Sequence, residues 1–299
     1  LSGLHALIRD LRISLRMLRK RPGFSIVVLF TLALGIGANT AVFAVVNGVL
    51  LEPLPYPEPH RLMALSQTDL EDGDLDIPWS VQDLQDVVSE TRELQALAGY
   101  TWLDETLTGL GDPELVYAVG VTGDLLNVMG TPPVLGRDIR PEEALPGGPR
   151  VAVVSHRFWT ERLQADPNVL GRTLQLSGLP HEIVGVAPLE FGFPSRADLW
   201  IGGQWAEDTH PRGRHFLRAV GRLADPSTAV MAQAELDEIA RRLEEAYPES
   251  NQGRGIYVQS LTESTIGDAR TGLFVLLGAV GMVLLIACAN VANLLLVRG

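Results

Sequence analysis

Residues 24–51 read FSIVVLFTLALGIGANTAVFAVVNGVLL, 28 consecutive positions without a charge. As a helix rising about 1.5 Å per residue, the run is about 42 Å long, more than the ~30 Å hydrocarbon core of a bilayer. Glu52-Pro53 and Pro55-Tyr56-Pro57 end it. A second uncharged run, Leu273–Val297, is 25 residues long and is closed by Arg298. Two such runs predict two transmembrane helices. A cleaved signal peptide is the rival for the first, given its basic start and the alanines around Ala41–Ala44. Its apolar stretch, however, is about twice the ~7–15 residues of a signal sequence.

Charge is distributed to match. The net charge of −12 divides into +5 over residues 1–23, −18 over residues 52–272 and +1 from Arg298. Short basic flanks stay in the cytoplasm, whereas long domains cross largely regardless of charge. Both ends are therefore expected inside and residues 52–272 outside. Within residues 1–23, Leu4, Leu7, Ile8, Leu11, Leu15 and Leu18 recur at helical spacing, with Arg9, Arg12, Arg16 and Arg19 on another face. This predicts an amphipathic helix lying among lipid headgroups, or a basic flank that only sets topology. Pro22-Gly23 would bend the chain into the membrane.

Polar and small residues inside the spans are candidate packing positions. Asn39 and Asn47 lie in the first span; Gly278, Gly281, Ala289, Asn290, Ala292 and Asn293 lie in the second. Small residues let helices approach closely and amides bond across the contact. A polar transport path is the alternative use of such groups, but neither span carries a charge. Cys288, the single cysteine, reads as a small packing residue.

Residues 52–272 predict an α+β extracytoplasmic domain, inserted between the two membrane helices. Strands are expected at Arg61–Thr68, Tyr100–Thr108, Leu115–Val121, Val151–Val154, Thr173–Leu176, His181–Val186, Phe216–Leu223 and Ile256–Leu261. Helices are expected from Ser80 to about Leu97, over Gly123–Met129, after Ser155 and over Thr228–Tyr247. The order suggests two lobes, one built from both ends of the segment and the other from its middle. Asp69–Asp76 reads as an acidic solvated loop without the register of a calcium-binding EF-hand.

Several chemistries are excluded. The single lysine, Lys20, lies between Arg19 and Arg21, so the chain has no Gly-Lys-Ser/Thr phosphate loop of its own. H-E-x-x-H and G-x-S-x-G are absent. No cofactor, metal or catalytic residue is expected. His210 and His215, flanking Arg212 and Arg214, read as an exposed polar loop. No basic aromatic surface suggests nucleic acid.

The assembled pattern resembles the MacB/FtsX family of ABC-transporter permeases, in its duplicated-permease branch. The matching residues begin with Met17-Leu18-Arg19-Lys20-Arg21-Pro22-Gly23-Phe24 and continue through Leu32–Ala41 and Leu51-Glu52-Pro53-Leu54-Pro55-Tyr56. Leu135-Gly136-Arg137, Val151–Ser155, Asp166-Pro167-Asn168, Leu170-Gly171-Arg172 and Val184–Pro188 resemble the family's periplasmic core domain, and Leu285–Leu296 its second membrane helix. Ala224-Asp225-Pro226 departs from the family's Lys-Pro-Gly-like turn.

The resemblance implies a multi-pass protein of the bacterial inner membrane. It works with a cytoplasmic ABC ATPase and a second permease half, or as a homodimer, and transmits motion to its periplasmic domain. The chain is then expected to be the N-terminal portion of a longer permease, with residues 298–299 opening a cytoplasmic segment. A two-helix membrane sensor with an extracytoplasmic ligand-binding domain shares this layout, as does a membrane-anchored enzyme.

Overall fold

The computed structural model describes residues 22–47, 53–195 and 197–296. The expected amphipathic helix of residues 1–23 lies almost wholly outside them. The chain divides into a unit holding both apolar helices and a second unit, Leu54–Ser264.

In the first unit, helix α1 covers Pro22–Val46. Its segment Leu29–Val46 is long and apolar enough to cross a membrane. The helix Leu261–Leu296 contains residues 273–296 of the second apolar run. It bends by 55° between Leu261–Gly267 and Gly272–Ile286, and counts as a second span only if both parts are taken together.

The second unit is built on one mixed sheet of eleven strands. The elements, in chain order, begin with β1 (Leu62–Asp69), β2 (Asp74–Ile77), α2 (Val81–Glu90), β3 (Leu94–Thr108) and β4 (Glu114–Val121). The middle adds α3 (Leu125–Val128), β5 (Leu135–Gly136), β6 (Val151–Val154), α4 (His156–Arg162), β7 (Thr173–Leu176), β8 (Leu179–Val186) and β9 (Leu199–Gly202). It closes with β10 (Arg218–Leu223), α5 (Ala229–Ala246), α6 (Pro248–Asn251) and β11 (Arg254–Ser260), ahead of α7 (Leu261–Leu296). The strand order is β11-β1-β10-β3-β4-β9-β6-β8-β5, with β2 beside β1 and β7 beside β3 and β8. Among the described residues, only β4–β9 and β6–β8 are parallel.

Strand alternation explains why both faces of this sheet are buried. In β1, Leu62 and Ala64 join one core cluster, while Met63 and Leu65 join another. The second cluster places the apolar stripe of α5 (Ala232, Leu236, Ile239, Leu243) and Leu84 and Val87 of α2 against the sheet; its residues come from both ends of the segment. A third cluster, from Leu107 to Ile201, comes from the middle. One sheet carries both parts that the sequence order divides into lobes.

Helix starts follow their caps. Ser80, Ser155 and Thr228 each accept a hydrogen bond from the backbone N–H three residues on. Two expectations need correction. Helix α2 stops at Glu90 and not near Leu97, because Glu235 of α5 captures the next segment. Its carboxylate accepts the backbone N–H groups of Arg92 and Glu93 and the Thr91 hydroxyl. Those bonds release residues 94–99 to join the sheet. The acidic loop is also shorter than expected, since Asp74–Ile77 returns as a strand against β1.

Candidate functional site

The candidate packing residues fall at several kinds of position. Asn39 donates to Gly35 O at 3.0 Å, within its own helix, and to Val280 O of α7 at 3.3 Å. Asn47 is half-buried just past α1. A Cβ added at Gly278 or Gly281 would meet nothing within 4 Å. Ala289 and Ala292 are exposed, as is Cys288. The side chains of Asn290 and Asn293 lie outside the described residues.

The external unit contains polar nodes that the sequence does not disclose. Asp83 is fully buried and accepts from Gln67 Nε2 (3.1 Å), Asn251 Nδ2 (3.1 Å) and Arg212 Nη1 (2.5 Å). Arg212 also bonds Asp86 at 2.8 Å and lies 3.6 Å over the Tyr247 ring. The expected exposed loop is thus corrected at Arg212, whose cation compensates a buried carboxylate. His215 contacts Pro78 O, and His210 contacts the Thr209 hydroxyl. Among the described residues no group of three His, Cys, Asp or Glu is placed to hold a metal.

A second node ties the chain leaving the first apolar run to the middle of the unit. Arg222, buried on β10, donates through Nε to Val128 O (2.7 Å) and through Nη1 to Pro57 O (3.2 Å). Nearby, Asp138 accepts backbone N–H bonds from Leu126, Asn127 and Ile139. Burial pushes the Asp138 carboxyl up to about 6, against those three bonds, which pull it down. An unfolded aspartate titrates near ~3.9. Between these values the folded state holds the extra proton, so this group contributes stability as pH falls through 6 and loses it as pH rises. Urea unfolding of the parent and Asp138→Asn checks this. The parent should gain stability relative to the variant on going from pH 7 to pH 5; a pH-independent difference contradicts it.

Between α2, β3, α3 and the segment 141–145 lies a cleft of about 650 Å³. Its apolar lining includes Leu84, Val88, Ala96, Leu97, Val128 and Leu145. Val88 and Leu145, both lining it, are each 47% exposed. The charged residues lining it are Asp124 and Glu142, both acidic.

The short motifs of the middle segment meet at β8. Leu135 pairs with Val186 and Gly136 with Gly185. Gly136 has φ +72°, and a Cβ there would sit 2.1 Å from Val184 O; one at Gly185 would sit 2.2 Å from Arg137 O. Only glycine permits this approach. Arg137 then forms a two-pronged ion pair with Glu143, at 2.6 and 2.7 Å.

A sequence model described as the MacB-like periplasmic core domain matches residues 25–239. The chain belongs to this family. Its fold is similar to the periplasmic region of MacB from Actinobacillus actinomycetemcomitans, with a TM-score of 0.51 and 12% identity over 75% of this chain and 98% of that one. It is also similar to a domain assigned to a permease protein of Porphyromonas gingivalis, with a TM-score of 0.51 and 14% identity over 69% of this chain and 92% of that one. No curated protein sequence matches. The chain is accordingly a membrane protein with an extracytoplasmic MacB-like periplasmic core domain.

Within this family assignment, the motif glycines act as scaffold. They fix the β5–β8 contact. The cleft and the Asp83 and Arg222 nodes draw on residues far apart in sequence, and no local motif signals them.

Proposed function

We propose that the chain is a permease subunit of an ABC transporter of the mechanotransmission type. A separate cytoplasmic ATPase supplies the energy, and the apolar helices pass motion to the periplasmic core domain for export or extraction of a substrate. The observation that carries this reading is the family match, which runs from the first apolar helix into α5 without a break. The charge-free first span supports it, because a stalk needs no ion path through the membrane. The Asn39–Val280 bond supports coupling of the two apolar helices. Gly278 and Gly281 leave room for close approach by a helix of a second permease half. The chain itself acts as a transporter component and not as an enzyme.

Two measurements test this. Isothermal titration of the purified chain with ATP should show no stoichiometric binding; one bound nucleotide per chain contradicts the reading. With the complete permease and its ATPase reconstituted, a spin label at Asp72 and a second one on the external domain of the other permease half should change separation when ATP is bound. A separation that stays fixed during turnover removes the mechanotransmission role.

A further inference from the structure

Arg222 is a buried cation with little to balance it. Its side chain is 7% exposed, and among the described residues the one carboxylate within 4 Å is that of Glu58, at 3.9 Å from Nη1. Nε and Nη1 donate to backbone carbonyls, and Nη2 has no hydrogen-bond partner among the described residues. An unmade buried donor and an unpaired buried charge are both costly. Burial holds Arg222 below the usual guanidinium range; the nearby Arg61 cation adds to this, and Glu58 opposes it.

Glu58 is engaged elsewhere. Its Oε2 accepts from Arg61 Nη1 at 3.0 Å. Arg61 is the more exposed of the two cations, at 17%, and already bonds Leu223 O and Gln95. The carboxylate therefore sits on the arginine that needs it less. The backbone supplies a reason. Residues 53–59 carry proline at every second position, so Glu58 lies between Pro57 and Pro59. Its φ of +48° and ψ of +56° are left-handed, whereas a residue before proline favours an extended conformation. Such a residue persists only where its surroundings impose it, and these positions cluster at switches. A shift of about 1 Å would bring the Glu58 carboxylate from 3.9 Å to hydrogen-bond distance of Arg222.

Arg222 also joins two elements. Residues 54–59 connect the first apolar run to β1. Leu54 and Tyr56 of this connector pack against the core cluster that contains Leu62, and the Tyr56 ring meets Phe191 edge-on at 6.2 Å. Arg222 holds the connector at Pro57 O and holds α3 at Val128 O, its last residue. Asp138 holds the other end of α3 through the Leu126 and Asn127 N–H groups. A carboxylate at the start of the turn and a cation at its end match the helix dipole.

We propose that Glu58 is a two-position latch: its carboxylate sits on Arg61 in this structure and moves to Arg222 when the connector shifts, fixing α3 to the connector. The latch rests on the permease reading and names the joint at which motion of the first apolar helix enters the external domain.

The test uses the whole chain in detergent without nucleotide. Amide exchange of Val128 and Met129, whose N–H groups bond Asp124 O and Leu125 O, is read by mass spectrometry. It is expressed relative to exchange in β6, so that a global loss of stability cancels. Arg61→Gln releases the carboxylate to Arg222 and should slow this exchange about threefold or more, the opposite of losing a merely structural arginine. Arg61→Gln/Glu58→Gln should exchange no more slowly than the parent. Glu58→Gln alone keeps the backbone bonds of Arg61 and changes a half-exposed side chain, so it gives a reading even where Arg61→Gln unfolds. It should speed exchange about twofold in the parent and not at all in Arg222→Met. Absence of slowing in a folded Arg61→Gln overturns the latch, as does slowing that persists without the Glu58 carboxylate. An effect of Glu58→Gln that is absent from the parent, or equal with and without Arg222, overturns it too. The readout needs no ATPase, so a permease without ATP-driven motion and a chain without the latch give different results.

Discussion

Replacing Trp200 with alanine should destabilise the external domain by about 4 kcal/mol, the usual cost of removing a buried large aromatic. Trp200 is fully buried at the centre of β9, and its ring packs against Phe191 at 5.0 Å. Its indole N–H donates to Phe193 O at 3.0 Å, so the variant also leaves a buried carbonyl without its partner. Strand β9 joins the two sides of the sheet, pairing with β4 in parallel and with β6 in antiparallel. The loss should therefore spread to both. Trp102, 53% exposed on β3, is the control: Trp102→Ala should cost under about 1 kcal/mol. Urea unfolding followed by circular dichroism reads both. Similar losses in the two variants would show that β9 does not organise the sheet.

The second large effect is expected at Arg212. Arg212→Met retains much of the side chain's length but leaves Asp83 buried beside only neutral donors, Gln67 and Asn251. Removing one partner of a buried ion pair costs about 3–5 kcal/mol, and the partial exposure of Arg212 places it near the lower end. Contact with the Tyr247 face is lost as well. In an Asp83→Asn background, the same Arg212→Met change should cost about 1 kcal/mol, because no buried charge is stranded. Equal costs in the two backgrounds would mean that Arg212 contributes packing alone.

Much of the external fold is legible in the sequence because its signals are local. Ser80, Ser155 and Thr228 act as the caps that their positions suggest, and the apolar stripe of Thr228–Tyr247 lies against the sheet. Ser177-Gly178 turns one strand into the next, with both residues at positive φ. Strand β9 escapes such a reading: Leu199-Trp200-Ile201-Gly202 is too short to show a period, and its neighbours come from distant parts of the chain. The end of α2 is equally hidden, because Glu235, over 140 residues away, decides it. The functional features follow the same division. Candidate packing positions in the spans can be named from residue type, and Asn39 meets α7. The cleft arises from β3 changing partners at Tyr100, which no local pattern encodes. The role of Arg212 is concealed for the same reason, since its carboxylate partners are more than 120 residues away.

A permease of this kind requires residues 54–264 to face the outside of a membrane while residues 1–23 face the cytoplasm. In a Cys288→Ser background, which removes the single cysteine, new cysteines at Asp72 and at Ser2 probe the two sides. Asp72 lies in the exposed β1–β2 turn. A membrane-impermeant maleimide added to intact spheroplasts should label Asp72→Cys and leave Ser2→Cys unlabelled until the membrane is opened. Labelling of Ser2→Cys with protection of Asp72→Cys would contradict this topology and the function built on it.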